Sequence, residues 1–149
     1  MIQNNKIKLI IVNSNNEDHV KKLFFFLNKR RFNISNKKIT DYETHHNFVK
    51  NNPYRKWFLV KSNHDYIGSI YVLYNNGIGI DLDESNYNLI QYILDIFLSI
   101  VKPLMEVPSL RTNKFHINIP PENEKLIEIC KNLGAKKTQC TYEFVNEIF

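Results

Sequence analysis

The chain has 149 residues, a net charge of +5 and a pI of about 9.1. That length fits one domain around one core, and hydrophobic residues at 43% with aromatics at 13% supply too much surface to bury for a disordered chain. The basic balance points to anionic partners without choosing among a phosphorylated cofactor, a nucleotide-linked substrate and nucleic acid.

Lys6 to Val12 is rich in β-branched residues and predicts a first strand. Asn13 to Asn16 forms a polar break able to cap a helix, and Glu17 and Asp18 follow where a helix N-terminus favours negative charge. Val20, Leu23, Phe24 and Leu27 recur at helical spacing, and this helix fades near Arg31. Asn33 to Lys38 reads as a loop, and Thr40 to Asn51 as a second helix with Thr40 as its cap, ended by Pro53. The basic residues Lys21, Lys22, Lys29, Arg30, Arg31, Lys37 and Lys38 read as the solvated face of the first helix and its exit loop.

Trp57 to Val60, Tyr66 to Tyr74 and Gly77 to Leu82 predict three strands in a meander. Ser62 to Asp65 makes one turn and Asn75-Asn76-Gly77 the other. A long helix is expected from Asp83 onward, with the stripe Leu89, Ile90, Ile93, Leu94, Phe97, Ile100 and Val101 facing the core. Phe115, Ile117 and Ile119 alternate with polar residues as in a strand, which Pro120-Pro121 stops. Asn123 to Leu133 predicts a helix with Leu126, Ile127, Ile129, Cys130 and Leu133 inward. Gly134 stands at the left-handed C-cap, and Lys137 to Val145 predicts a last strand. The order strand, helix, helix, three strands, helix, strand, helix, strand predicts an α+β fold in a single unit over 1–149: a mixed, mainly antiparallel sheet with helices on its faces.

Cys130 and Cys140 have no metal-type spacing and make no disulfide framework, so a reducing, cytoplasmic setting is expected. The apolar run Leu9 to Val12 is too short for an export signal. The stretch Leu89 to Val101 is broken by Gln91, Asp95 and Ser99, so no membrane span is expected. His45 and His46, adjacent on a helix, point different ways, which speaks against a metal site.

The segment from His116 through Asn118, Pro120-Pro121, Asn123 and Cys130 to Gly134-Ala135 resembles the strand, Asn, amphipathic helix and glycine of the GNAT (Gcn5-related N-acetyltransferase) superfamily. Trp57-Phe-Leu-Val and Tyr66-Ile-Gly68-Ser-Ile-Tyr71 resemble its second and third strands, and the order of elements is the GNAT order. Thr44 to Phe48 and Tyr54 to Trp57 are similar to members that acylate nucleotide-linked amino sugars and to ribosomal-protein acetyltransferases. The resemblance implies transfer of an acetyl or other acyl group from acetyl-CoA to a primary amine of a small molecule. It also implies that copies often pair as homodimers. No nucleic-acid recognition signature accompanies the positive charge, so a nucleic-acid partner is not expected.

Two departures stand out. The family's Gly-rich pyrophosphate loop is replaced by Ile80-Asp81-Leu82-Asp83-Glu84-Ser85-Asn86-Tyr87, which has no glycine and carries acids that repel a diphosphate, although acids also suit a helix N-terminus. Cys130 stands where many members place the Tyr that protonates the leaving thiolate; a thiol is a poorer acid there, and an unpaired Cys also suits a core. Carried over residue by residue, the resemblance assigns the backbone of Gly79, Ile80 and Leu82 to the thioester carbonyl, and Asn118 and Asn123 to the coenzyme arm. Asp81, His45 and His116 are then candidate bases, His116 also contacts substrate, Cys130 is the acid and Arg55 a phosphate fork. Each of these side chains also has an ordinary structural use in a core, a turn or a helix end.

Overall fold

Alternation in the central strand decides the architecture. In the computed structural model, which describes residues 6–30 and 40–145, Lys56–Ser62 forms β2. Its Trp57 and Leu59 pack with Val20, Leu23, Phe26 and Val49 on one side of the sheet. Its Phe58 and Val60 pack with Ile93, Phe97 and Val101 on the other. Successive side chains of a strand leave opposite faces, so a strand apolar on both faces has to lie between two layers.

β1 (Ile7–Ile11), β3 (Asp65–Val72), β4 (Gly77–Leu82) and β5 (His116–Ile117) complete a sheet of order β1-β2-β3-β4-β5. The first four are antiparallel neighbours, and β5 joins β4 in parallel. Among the described residues, four α-helices flank the sheet: α1 (Glu17–Lys29), α2 (Tyr42–Asn51), α3 (Ile90–Ile100) and α4 (Glu124–Asn132). This is the mixed α+β architecture that the sequence implies. Among the described residues no helix is long and apolar enough to cross a membrane.

Local chemistry explains where the elements begin. The side chain of Asn16 accepts from the N–H groups of Asp18 and His19 and caps α1. Asp41 caps α2 in place of Thr40, because its carboxylate reaches the Thr44 N–H at 2.8 Å. The helix expected from Asp83 starts later: Glu84–Leu89 is a 3-10 helix and regular α-helix begins at Ile90. Asp83 accepts from the Ser85 N–H and hydroxyl, the local bonding by which Asp, Ser and Asn compete with α-helix. At the other end α3 stops at Ile100, which is 57% exposed, and the extended Val101 takes the inward place. Leu133, expected inward on α4, is likewise exposed. Gly134 has φ +93°, the left-handed C-cap conformation.

The expected last strand, Lys137 to Val145, does not form: residues 137–145 are exposed and belong to no strand. A strand requires a ladder partner, and β5, at the edge of the sheet, offers two residues in strand conformation before the chain turns off at Pro120 and Pro121. Arg31, Lys37 and Lys38 of the basic run, and the Asn33 to Lys38 loop, lie outside the described residues.

The turn between β3 and β4 takes its left-handed residue at Asn76 (φ 69°) rather than at Gly77. The Asn76 side chain is fully buried. Its amide donates to the Leu104 and Thr112 carbonyls at 3.0 and 2.8 Å, and its oxygen accepts from the Leu104 N–H at 2.7 Å. One side chain thus fastens the long connection between α3 and β5 to the hairpin, which fixes where β5 meets β4.

Candidate active site

β4 and β5 touch only where Gly77 and Ile78 meet His116 and Ile117. β4 then runs on to Leu82 while the other chain turns off at the two prolines, and a cleft of about 550 Å³ opens between them. The Gly77 carbonyl accepts from the Leu73 N–H, just past the end of β3, at 2.8 Å, so alternation turns the odd-numbered backbone groups of β4 toward β3. The N–H groups of Ile80 and Leu82 therefore face the cleft. Gly79 lines the cleft, but its N–H faces Tyr71 of β3, which differs from the expectation that it would donate alongside them.

Asp81 projects from the α1 side of β4 and is 11% exposed. Arg30, the residue closing α1, donates from Nε to its Oδ2 at 3.0 Å. Burial raises the carboxyl pKa above the usual range and outweighs the opposing pull of Arg30. The next two acids are also paired: Lys29 Nζ lies 3.0 Å from Asp83 and Lys125 Nζ lies 3.1 Å from Glu84. These outer pairs are solvated and contribute little to stability. They do place cations from α1 and α4 at the lip of the cleft, so the acids face any incoming anion already compensated.

Opposite β4, the cleft is lined by Asn118, Pro120 and Asn123. Asn123 is buried. Its oxygen caps α4 through the Leu126 N–H and its amide donates to the Tyr87 hydroxyl at 3.0 Å. Burial pushes the Tyr87 phenol upward in pKa. On the α1 side, the ring of Tyr71 lies directly over Gly79, filling the space a side chain there would take. Tyr54 stacks on Tyr71 with centroids 3.9 Å apart and planes 4° apart, and burial holds its phenol far above the ordinary range.

The cleft thus gathers six of the residues singled out from the sequence: Gly79, Ile80, Asp81, Leu82, Asn118 and Asn123. The other four lie elsewhere. Cys130 is buried against Ile90 and Leu126, and burial raises its thiol pKa, so its surroundings are those of a core residue. His45 is buried between α1 and α2, bonded through Nε2 to the Val20 carbonyl at 3.3 Å, and burial lowers its pKa. Arg55 donates to the Lys102 carbonyl at 2.7 Å. His116 sits at the start of β5, its ring beside Gly77, and is exposed. Lys29, Arg30, Tyr71 and Tyr87 were not singled out for the site. Pairs such as Arg30–Asp81 span fifty-one positions and leave no local spacing to detect.

No protein-family model matches the chain, and no curated protein matches its sequence significantly. Solved structures do match. A domain from Methanocaldococcus jannaschii DSM 2661 aligns with a TM-score of 0.68 at 17% identity, over 94% of each chain. The Campylobacter jejuni N-acetyltransferase PseH, solved in complex with acetyl coenzyme A, aligns at 0.59 and 20% identity, over 91% of this chain and 92% of that one. The aminoglycoside acetyltransferase meta-AAC0020 from an uncultured soil metagenomic sample, solved with sisomicin, aligns at 0.58 and 12% identity, over 95% and 97%. Near-complete coverage in both directions, together with strands that part beyond a shared start, identifies the fold of this chain as that of the GNAT superfamily.

Proposed function

We propose that this chain is an N-acetyltransferase that moves an acetyl group from acetyl-CoA to the primary amine of a small molecule, acting in the cytoplasm. The observation that carries the reading is the parting of β4 from β5, which leaves the Ile80 and Leu82 N–H groups open to a cleft lined on its far side by Asn118 and Asn123. Acetyl-CoA supplies an acetyl group activated as a thioester. The residues present fit it: backbone donors face the place of the acyl group, and the three acids of the lip are compensated by Arg30, Lys29 and Lys125. The Ile80 and Leu82 N–H groups stabilise negative charge that develops on a carbonyl oxygen, and they need no reorganisation to do so. Asp81, with its raised pKa, takes the proton from the attacking ammonium, directly or through water, so that a neutral amine attacks. The aligned proteins include one solved with acetyl coenzyme A and one solved with an aminoglycoside, which supports the donor and an amine acceptor. A nucleotide-linked amino sugar is the first acceptor to try, on the likeness of Thr44 to Trp57.

One observation favours a second reading, a GNAT-fold binding module with weakened catalysis. The Asp83 carboxylate occupies the start of the 3-10 helix and accepts its Ser85 N–H, a donor of the kind that serves a diphosphate at a helix N-terminus. Acetyl-CoA titration followed by thermal unfolding separates the two. A ligand of the native state adds about 2.7 kcal/mol at a hundredfold over its dissociation constant. A rise in stability with turnover on a panel of primary amines supports transfer. A rise without turnover supports the module, and no rise with no turnover removes the first reading.

A further inference from the structure

Asp81 leaves β4 on the α1 side of the sheet, so an amine that gives it a proton lies on that side, and the body carrying the amine rests on the wall there. That wall is aromatic: Phe25 and Phe26 of α1 and Tyr66 and Tyr71 of β3 line this end of the cleft. Phe26, Tyr66 and Tyr71 pack into the core beneath α1. Phe25 is 57% exposed, yet its ring is held in place. It meets Phe26 edge-on with centroids 5.6 Å apart and planes at 70°. The Lys29 ammonium, tied to Asp83, lies 5.6 Å from its centroid. An ordered ring left open to a cleft gains from a second ring laid against it.

The charges at this end cancel. Asp81 is paired with Arg30 and Asp83 with Lys29. Among the described residues lining it, this end therefore offers no surplus anion to a polycation and no surplus cation to a phosphate. Arg55, the expected phosphate fork, donates instead to the Lys102 carbonyl and does not line the cleft. The cleft of about 550 Å³ also admits the acyl end of the donor, so the acceptor's body is small. A flat, uncharged ring bearing one ammonium meets all of these conditions. The likeness of Thr44 to Trp57 names a nucleotide-linked amino sugar, whereas the wall of the cleft selects a different class.

We propose that the acceptor is a primary arylalkylamine, with its ring against Phe25 and the aromatic wall and its ammonium at Asp81. The inference rests on the acetyltransferase reading of the cleft. Asp81 takes one proton from the ammonium. The freed nitrogen pair bonds to the thioester carbonyl carbon, the C–S bond breaks with its electrons on sulfur, and the second proton lost from nitrogen ends on that sulfur. An N-acetyl arylalkylamine and a free thiol leave, and Asp81 returns its proton to water.

Two measurements on the full chain test this: acetyl transfer from acetyl-CoA to a set of amines, and calorimetric titration with phenethylamine alone. Phenethylamine and tryptamine are expected to exceed n-propylamine, sisomicin and a nucleotide-linked amino sugar in kcat/KM by about tenfold or more. Phe25→Ala should raise KM for phenethylamine about tenfold relative to n-propylamine, and Phe25→Tyr, which keeps a ring, should restore it. Phe25 is exposed, so its loss leaves the core closed, and circular dichroism confirms that each variant folds. Sisomicin or the nucleotide-linked sugar as the better acceptor overturns the proposal, and so does a KM for phenethylamine indifferent to Phe25→Ala. Transfer to none of the amines sinks the acetyltransferase reading instead, and the titration then decides the ring site. Heat of binding that weakens about tenfold in Phe25→Ala and returns in Phe25→Tyr upholds it, and no binding to the wild type removes it.

Discussion

A methyl group at position 79 tests the packing that shapes the cleft. A Cβ on Gly79 lands inside the ring of Tyr71, on Cζ, Cε1 and the hydroxyl oxygen, closer than any ordinary contact allows. The ring has to leave its place, and with it the stack on Tyr54. Overpacking of this kind costs about 1–3 kcal/mol, and a lost aromatic pair about 0.5–1.5 kcal/mol. Replacing glycine by alanine also restricts the unfolded chain, which returns about 0.4–1 kcal/mol. Gly79→Ala is therefore expected to destabilise the protein by about 1–3 kcal/mol, a fall in Tm of roughly 3–10 °C for a chain of this size. Calorimetry of Gly79→Ala, Tyr71→Ala and the double variant measures it, because in the Tyr71→Ala background the added methyl meets open space and its cost should vanish. An unchanged Tm for Gly79→Ala, or an equal penalty in both backgrounds, would falsify the argument.

Asp81→Asn is expected to lower kcat/KM by about 10²–10⁴ while leaving acetyl-CoA affinity within severalfold. In the wild type the acidic limb of the pH–rate profile should lie above the ordinary carboxylate value of 3.8, because burial raises this group, and the limb should disappear in the variant. Asn123→Ala removes the cap of α4 and the donor to Tyr87, at about 1–2 kcal/mol in urea unfolding, whereas Asn123→Asp, which keeps an acceptor for the Leu126 N–H, should lose less. His45 is held below its ordinary value of 6.5, so the stability it contributes is present above that pH and is lost as pH falls and the unfolded chain takes up the proton. Thermal scans from about pH 7 to about pH 5 should show a slope of at most ~1.4 kcal/mol per pH unit from this group, and His45→Gln, which keeps a donor for the Val20 carbonyl, should flatten it.

The sheet was legible because its signals are local. Trp57 to Val60 is apolar on both faces, and turn residues flank each meander strand, so composition and period suffice. The start of α3 was not, because the regular stripe from Ile90 onward masked the preference of Asp83 and Ser85 for a tighter turn. The last strand was misplaced because composition reports willingness to pair and says nothing of whether a neighbour is within reach. Of the residues singled out, those gathered at the cleft were picked for a backbone or cap position, such as Ile80, Leu82 and Asn123. Arg30 was set aside as a solvated helix end, and only the fold brings it to Asp81. His45 and Cys130 went the other way: residue types apt for chemistry, placed where the packing of α1, α2 and α4 encloses them.

The buried amide of Asn76 carries a consequence for chemical ageing. Asn-Gly bonds deamidate readily, because the glycine N–H attacks the preceding side-chain carbonyl and expels ammonia. Here the Gly77 N–H is engaged by Asn75 Oδ1 at 2.9 Å, and the Asn76 amide is held by Leu104 and Thr112. The folded chain thus shields its own most labile bond, and the shield fails when the hairpin opens. Once formed, an aspartate at this position would point a carboxylate at two carbonyl oxygens, so a molecule that has aged while unfolded could no longer anchor β5. Peptide mapping after incubation above and below Tm should find Asn76 intact in the native protein and converted in the unfolded one, a lasting mark of each chain's time spent unfolded.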